Sequence, residues 1–410
     1  MLAPTEQATR AGADEPLRAD IVVGVRAPGS GADDALRTGH RIGLELTAAQ
    51  PGRRAVVLLL AADADVPVAA PAEPHAPAPR VPILPWNHPG QSAIEALLHA
   101  AGTFDAAACA LVAAPAGDEV RDGAARRLLA PVLEEGFDLV CPCYAAHRYE
   151  GVLTTGLVYP LTRALFGRRL RQPVSDELAV SRRLADHLLG EGWQSDPHAG
   201  GGMWLVTGAL SAEYQVCQAW LGVRPPRLAE PGADLAASLA RLVGLLFHEM
   251  RLQARAWQRV KGSRLVKTFG DAAPTDAGPA VPAVAPMLSA FRLGHQELQR
   301  VWGAVLPPQS LLALKRLAVC PEERFEVDDE LWAHIVYDFA VGYHLAVMDR
   351  TLLLRSLTPL YLGWAASFVR QVRELDAAGV EARVEVLCRG FEAAKPYLIS
   401  RWRWPDRWSP

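Results

Sequence analysis

Four short apolar segments alternate with helix-like segments in the first part of this 410-residue chain. The apolar segments are rich in aliphatic and β-branched residues and are Ile21–Val25, Ala55–Ala61, Ala107–Val112 and Leu139–Cys141. The segments between them, whose apolar residues recur at helical spacing, are Asp33–Thr47, Gln91–Ala101 and Asp118–Leu133. This alternation predicts βαβ units and a mostly parallel sheet flanked by helices. Ligands of such sheets bind beyond the carboxyl ends of the strands, so we expect a site in the loops after Val25, Ala61 and Val112.

The second half of the chain has a different pattern. Tyr214–Trp220 predicts one further strand, and helical patterns then follow one another from Asp234 onward. We predict a flexible N-terminus over 1–18, an α/β domain over 19–232 and an all-helical domain over 233–410, with a Pro/Ala/Gly-rich linker at 270–286. Apolar stripes on the later helices predict core or a subunit interface, and a homodimer through the helical domain is the expected assembly.

Composition and charge exclude several classes of protein. The chain has 42 Lys and Arg against 45 Asp and Glu, a net charge of −3, which gives no basic footprint for nucleic acid. Six cysteines occur without a CxxC motif and mostly within apolar runs, which indicates buried thiols in a reducing cytoplasm. The first 18 residues lack the pattern of a signal peptide, and no apolar run reaches the roughly 18 residues of a membrane span. These patterns predict a cytoplasmic protein.

One stretch of sequence carries a family resemblance. It has the sequence GVLTTGLVYPLTRALFGRRLRQPV over Gly151–Val174 and continues to Ser181-Arg-Arg183. The stretch resembles a bacterial glycosyltransferase family of the GT-A fold, similar to the glucosyl-3-phosphoglycerate and mannosylglycerate synthases. Further matches bring the resemblance to roughly residues 19 to 402, among them Pro131–Asp138, Val216–Gly222, Asp329–Trp332 and Leu354–Gly363.

The resemblance implies a reaction and the groups that it needs. A hexose would pass from a nucleotide-diphosphate sugar, of the UDP-glucose or GDP-mannose type, to a small hydroxyl acceptor of the glycerate or phosphoglycerate type, with retention at the anomeric carbon. The diphosphate leaving group develops negative charge, which a divalent metal offsets. Carboxylate oxygens, usually an Asp-x-Asp pair at the end of a strand, suit Mg²⁺ or Mn²⁺.

The resemblance also implies roles for particular residues. The residues that match donor-binding positions are Asp63, Ser92, Arg171 and Gln172. The acidic residues that match catalytic positions are Asp176, Glu177 and Asp196. Two of these have a structural alternative, because Asp63 also fits a turn aspartate and an arginine such as Arg171 is as typical of a structural salt bridge as of phosphate recognition.

The sequence departs from the family at the positions that carry charge. The strand that should deliver the metal-binding acids ends in Ala113-Ala114-Pro115. Asp118 and Glu119 follow shortly and either substitute as metal ligands or occupy the first turn of the next helix, where carboxylates favour the helix dipole. The usual Lys-Gly, Gly-x-Asp and histidine of the family are replaced at Gly90-Gln91, Gly200–Met203 and Pro226. Three hypotheses remain open: an active glycosyltransferase, a pseudo-glycosyltransferase that acts as a binding or regulatory protein, and an interaction scaffold.

Overall fold

A computed structural model describes most of the chain, and it divides into two compact units. The described residues are 18–26, 32–60, 81–86, 92–114, 123–145, 147–175, 177–190, 202–223, 235–272 and 281–404. The sheet unit comprises residues 1–144, 174–225 and 266–273, and the helical unit comprises residues 145–173, 226–265 and 274–410. The units therefore interleave along the chain, whereas the sequence predicted two contiguous domains that meet at residues 232–233.

The sheet unit is built on one eight-stranded sheet. Its strands are β1 (Ile21–Arg26), β2 (Ala55–Leu60), β3 (Ile83–Trp86), β4 (Ala108–Ala113), β5 (Leu139–Ala145), β6 (Leu178–Ser181), β7 (Val216–Val223) and β8 (Thr268–Phe269). Their order across the sheet is β3-β2-β1-β4-β6-β5-β7-β8. Strands β1, β2 and β4 read as continuous apolar runs because they are buried on both faces, as parallel strands covered by helices are.

The register of the central strands fixes which residues meet at each edge of the sheet. β1 pairs in parallel with β2 on one side and with β4 on the other, so that Arg26 lies beside Leu60 and Ala113. β6 runs antiparallel to both β4 and β5, with Leu178 opposite Leu111. The first residues of β6 therefore lie at the carboxyl end of β4.

Helices cover both faces of this sheet and complete its core. Within the described residues they are Ala32–Ala49, Ala93–Thr103, Ala124–Glu135, Arg182–Gly190 and Met203–Ser211. Aliphatic side chains of β1, β2 and β4 pack with those of the first and third of these helices in one buried cluster. The mostly parallel sheet flanked by helices, followed by a helical region, confirms the predicted fold class.

The helical unit has a core of large aromatic side chains. Its helices within the described residues are Tyr159–Phe166, Leu235–Leu252, Ala254–Trp257, Val284–Glu297, Gln299–Gly303, Pro308–Ala318, Asp329–Leu345, Arg350–Ser356, Thr358–Val372 and Ala377–Arg403, with a π-helical turn at Thr154–Val158 and a 3₁₀ turn at Glu322–Arg324. Trp332 and Trp364 are fully buried and stack with their ring centroids 5.6 Å apart. The apolar stripes of the sequence are thus core positions here.

The predicted elements agree with the observed ones within a few residues at most ends. The predicted helix Asp118–Leu133 is observed from Ala124, and residues 115–122 lie outside the described part of the chain. The helical patterns predicted from Asp234 onward begin with two helices, Leu235–Leu252 and Ala254–Trp257. The sequence did not predict the short strands β3, β6 and β8.

One stretch of the helical unit has the composition of a membrane span. Arg350–Val372 is long and apolar enough to cross a membrane by length and composition alone. However, 72% of its most apolar 18-residue part is buried inside the structure. The structure divides it into two helices at Leu357, and buried residues such as Phe368 contribute to the core. Such burial is typical of a core helix. The stretch is not an uninterrupted apolar run, because it contains Arg355.

Candidate active site

The topology of the sheet marks one place at its carboxyl edge. In the order β3-β2-β1-β4, the chain adds strands on one side of β1 and then crosses to the other, so the switch point lies between β1 and β4. Ligands of open α/β sheets bind in the crevice that opens at such a point. The two strands end at Arg26 and Ala113, and Ala114 N donates to Arg26 O at 2.7 Å. The candidate crevice therefore lies between the ends of β1 and β4.

Glu177 lies at this crevice because of the antiparallel register of β6. It directly precedes β6, and its carboxylate reaches the end of β4, where Ala113 N donates to Oε1 at 3.3 Å. The hydroxyl of Tyr144, near the end of β5, donates to Oε2. The backbone N–H of Glu177 donates to Ser175 Oγ at 3.1 Å, which fixes the turn into the strand.

The environment of Glu177 combines burial with directed donors. The residue is only 3% exposed, and Tyr144 is 8% exposed. A buried carboxylate is costly unless donors satisfy it, and the contacts from Tyr144 and Ala113 meet that requirement. A half-buried cation, Arg26, ends the neighbouring strand β1. The crevice therefore offers one oriented carboxylate and one guanidinium at the ends of adjacent strands.

The described residues do not fit a divalent metal at this edge. They contain no group of three or more His, Cys, Asp or Glu side chains that could hold a metal ion. Glu177 is a single carboxylate whose two oxygens already accept protein donors. Asp118 and Glu119, the predicted metal ligands, lie outside the described residues.

A glycine allows close packing behind the Glu177 turn. Gly202 precedes the helix Met203–Ser211, and a Cβ added there would lie 3.0 Å from Ile94 Cδ1 and 3.2 Å from Leu178 Cδ2. The family pattern expects a carboxylate near this position. In this chain Gly202 instead lets the start of its helix pack closely against Ile94 of the helix Ala93–Thr103 and Leu178 of β6.

Ser92 has a structural role at the start of a helix. It is the N-cap of Ala93–Thr103, where its Oγ accepts from Glu95 N at 3.3 Å and its own N–H donates to Glu95 Oε2 at 2.8 Å. This reciprocal capping box satisfies two N–H groups at the helix start. A role for Ser92 in donor binding stays a prediction.

Arg171 and Gln172 belong to the helical unit. Arg171 Nη2 donates to Glu381 Oε1 at 2.7 Å, and its guanidinium lies 4.8 Å from the ring centroid of Tyr159. These contacts are those of the structural salt bridge considered from the sequence. Gln172 Oε1 is buried and has no hydrogen-bond partner among the described residues. The donor-binding roles of both residues stay predictions.

The remaining predicted site residues cannot be placed. Asp63, Asp176 and Asp196, together with the pair Asp118 and Glu119, lie outside the described residues. Of the predicted catalytic set, Glu177 alone is described. The structure brings it to the end of the strand for which the sequence expected metal-binding acids.

The matched segment Gly151–Val174 mainly organises the helical unit. Arg163 is fully buried and forms a bidentate pair with Glu385 at 2.6 and 3.0 Å, and a further bond to Glu392 at 2.8 Å. Hydrogen bonding from Arg163, the largest cause, lowers the pKa of Glu385 to about 2. Lys395 donates to two carbonyls near the end of the helix that contains Arg163, Ala164 O at 2.7 Å and Leu165 O at 3.1 Å. Family-matching residues in this segment therefore hold helices together.

The cysteines are mostly buried, and at least two of them are unreactive. All six are free and five are buried, as predicted, whereas Cys320 is half-buried. Burial raises the pKa of Cys109 and of Cys141 to about 12. The thiolate is the reactive form, so these two side chains are inert at neutral pH.

Sequence reasoning missed two residues of the crevice. Arg26 directly follows the predicted strand Ile21–Val25, and that loop had been marked as a place to search. Tyr144 lies three residues past the predicted end of its strand at Cys141. Extending both strands by their apolar pattern would have found them at the carboxyl edge.

Comparison with known proteins gives a similarity of fold alone. No family model and no curated protein matches the chain. Solved structures of glucosyl-3-phosphoglycerate synthase from Mycobacterium tuberculosis are similar. The complex with Mn²⁺, UDP and glucosyl-3-phosphoglycerate is 18% identical and covers 58% of this chain and 80% of that chain, with a TM-score of 0.36. The complex with Mn²⁺, UDP-glucose and phosphoglyceric acid is 17% identical over the same shares, with a TM-score of 0.35. No residue of this chain takes a role from that similarity.

Proposed function

We propose that this chain is a hexosyltransferase that uses a nucleotide-diphosphate sugar and a small hydroxyl acceptor of the glycerate or phosphoglycerate type, with retention. The observation that carries the proposal is the buried, oriented carboxylate of Glu177 at the switch-point crevice between β1 and β4. The sequence resemblance around Gly151–Val174 supplies the reaction class.

The residues at the crevice suggest how it would serve such a reaction. The acceptor oxygen forms a bond to the anomeric carbon on the face from which the diphosphate leaves, while the bond from that carbon to the diphosphate breaks. The leaving diphosphate takes the electron pair and the proton of the acceptor hydroxyl. The guanidinium of Arg26 is suited to pair with phosphate oxygens. The carboxylate of Glu177 is suited to accept a hydrogen bond from a sugar or acceptor hydroxyl. Fixed groups of this kind stabilise charge without reorganising during the reaction.

A pseudo-glycosyltransferase is the second candidate. It is favoured by the same carboxylate, because both oxygens of Glu177 already accept hydrogen bonds from the protein. A purely structural carboxylate would leave the crevice without a reacting group. The protein would then bind a nucleotide or a partner without turnover.

Two assays distinguish these candidates. The full chain is incubated with UDP-glucose or GDP-mannose and with glycerate or 3-phosphoglycerate, with and without Mn²⁺, and the glycosylated product is measured by mass spectrometry. In parallel, thermal unfolding is recorded with each donor and its nucleoside diphosphate, since a ligand that binds the native state raises the melting temperature. Product formation supports the transferase. A donor-induced shift without product supports the pseudoenzyme, and neither signal with any donor contradicts both.

The carboxylate is tested by a matched pair of substitutions. Glu177→Gln keeps the size of the side chain and removes its charge, and we expect it to lower product formation at least 10-fold, about 1.4 kcal/mol of transition-state stabilisation. The control is Glu134→Gln, an exposed carboxylate near the end of the helix Ala124–Glu135 in the same unit. Equal activity of the two variants would remove Glu177 from the mechanism.

The predicted metal ligands are tested in the same assays. If Asp118 and Glu119 hold Mg²⁺ or Mn²⁺, the variant Asp118→Asn/Glu119→Gln loses any metal-dependent part of the activity or of the thermal shift. If they occupy a helix turn, the metal dependence is unchanged.

We further propose that the reaction takes place in the cytoplasm, consistent with six free cysteines. Light scattering of the full chain tests the expected homodimer.

A further inference from the structure

A short part of the helical unit carries an uncompensated positive charge. Residues 251–265 contain five cationic side chains and neither Asp nor Glu, and the cations are Arg251, Arg255, Arg259, Lys261 and Arg264. The whole chain has slightly more acids than bases. This segment, which we call the basic segment, therefore departs from the composition of the protein around it.

The charges of the basic segment are exposed and unpaired. All five side chains are exposed to solvent. None of them has a carboxylate within salt-bridge distance among the described residues of the chain. Among the acids of the helical unit, Glu249 is 5% exposed, and Glu385 and Glu392 bind Arg163. Asp271, which follows the segment in sequence, is exposed, and no ion pair joins it to any of the five cations among the described residues. The positive charge is thus free to act on a partner.

The backbone beneath these charges is held in place. Trp257 is fully buried, and its Nε1 donates to Met250 O at 2.8 Å. Lys395 donates to Val260 O at 2.8 Å. Arg264 N donates to Gly167 O at 3.1 Å, and Arg264 O accepts from Arg169 N at 3.1 Å. The backbone that carries the cations is therefore fixed at several points, and little backbone entropy is lost when they bind.

Exposed apolar side chains occur within the basic segment and next to a residue that it contacts. Leu252 is 53% exposed and Leu265 is 80% exposed, although both are large aliphatic residues. Trp404 is 59% exposed and follows Arg403, whose Nε donates to Gln258 Oε1 at 2.7 Å within the basic segment. Aliphatic side chains gain nothing from contact with the phosphates of a nucleic acid, whereas cations combined with Leu and Trp suit the headgroup region of a membrane.

We propose that the basic segment, with Leu252, Leu265 and Trp404, docks the protein on the surface of an anionic lipid membrane. The contact is peripheral: guanidinium and ammonium groups meet anionic headgroups, and the exposed apolar side chains enter the boundary below them. Each Lys or Arg near such a surface strengthens binding about 5-fold. The attraction extends about 10 Å at 0.1 M salt and falls to about 3 Å at 1 M, so binding depends strongly on salt.

Vesicle co-sedimentation of the full chain tests this proposal. The probes are vesicles of phosphatidylcholine alone and of phosphatidylcholine mixed with phosphatidylglycerol. We expect sedimentation with the mixed vesicles at low salt, loss of binding at high salt, and none with phosphatidylcholine alone. Absence of binding to the anionic vesicles at low salt would overturn the proposal.

Matched variants assign the binding to this surface. Arg259→Gln/Lys261→Gln/Arg264→Gln should weaken binding about 100-fold, from three cations at about 5-fold each. The control carries the same change in charge on other exposed cations of the helical unit, Arg300→Gln/Lys315→Gln/Arg316→Gln, and should bind nearly as the native chain does. Equal loss in both variants would mean that net charge alone, and not this surface, drives binding.

Two further measurements separate a lipid surface from other polyanions. Leu265→Ser leaves the charge unchanged and should weaken binding to vesicles because an apolar contact is lost. A short duplex RNA serves as a competitor with a dense phosphate backbone. Tighter binding of the RNA than of the vesicles, or no effect of Leu265→Ser, would assign the surface to a nucleic acid and contradict the proposal. Melting temperatures of all variants, expected near that of the native chain, exclude loss of folding.

Discussion

The most sharply defined perturbation in the matched segment is Gly156→Ala. Gly156 lies in the π-helical turn Thr154–Val158, and a Cβ added to it would lie 1.9 Å from Cη2 and 2.0 Å from Cζ3 of Trp364. Carbon atoms in contact prefer about 3.5–4.0 Å, so one side must retreat by roughly 1.5 Å or more. The residue is therefore glycine because an indole ring of the helical unit occupies the space of its side chain.

Neither side of this contact can move cheaply. Trp364 is 1% exposed and stacks on both Trp332 and Phe368. Trp332 is fixed in turn, because its Nε1 donates to Gly156 O at 2.8 Å. Overpacking of a core typically costs 1–3 kcal/mol. We expect Gly156→Ala to lie at the upper end and to lower the free energy of unfolding by about 3 kcal/mol.

Urea unfolding followed by tryptophan fluorescence measures this loss. The control is Gly102→Ala, in the helix Ala93–Thr103, where an added Cβ meets nothing within 4 Å; it should be neutral or stabilise the protein by up to about 1 kcal/mol. Trp364→Phe should partly rescue Gly156→Ala, because the smaller ring leaves room, and a double-mutant cycle gives the coupling. An unfolding midpoint of Gly156→Ala equal to that of the native chain, or additive effects in the cycle, would refute the packing that we describe.

Two further predictions concern buried ionisable groups of the helical unit. Asp338, which accepts from Arg401 and has one oxygen with no partner among the described residues, has its pKa raised from 3.8 to about 6, mainly by desolvation. The stabilisation from protonation of Asp338 is complete below the unfolded pKa and is lost as the pH rises through 6, so the free energy of unfolding should fall by about 2 kcal/mol between about pH 4.5 and 7.5. Asp338→Asn should remove this pH dependence in urea titrations. An unchanged pH dependence in the variant would contradict the assignment to Asp338. Lys395→Met leaves three carbonyls without their buried donor, and we expect a loss of about 3 kcal/mol against no change for the exposed control Lys315→Met. An unfolding midpoint of Lys395→Met like that of the control would show that these bonds contribute nothing.

The strands of the sheet were predictable because burial on both faces leaves a clear signal. β1, β2 and β4 appear in the sequence as uninterrupted apolar runs between turn-rich segments. β6 was missed because it has only four residues and is defined by antiparallel pairing with strands distant in sequence. β3 contains Pro85, which weakens its strand pattern, and it pairs only with β2.

The division into units was harder to predict than the elements themselves. Local pattern gave no indication that residues 145–173 cluster with the helical unit. Arg163 explains why: its partners Glu385 and Glu392 lie more than 200 residues further along the chain. The acidic character of Glu177 was visible in the sequence, whereas its donor Tyr144 depends on the pairing of β5 with β6. Long-range pairing of this kind cannot be inferred from periodicity alone.

We propose that a nucleotide-diphosphate sugar binds in the crevice between the ends of β1 and β4. Hydrogen–deuterium exchange of the full chain, measured with and without UDP-glucose and Mn²⁺, tests it directly. We predict slower exchange in peptides that contain Arg26, Ala113 and Glu177, with little change in the helix Ala124–Glu135. Slower exchange confined to other parts of the chain, or no change at a donor concentration that shifts the melting temperature, would contradict the claim.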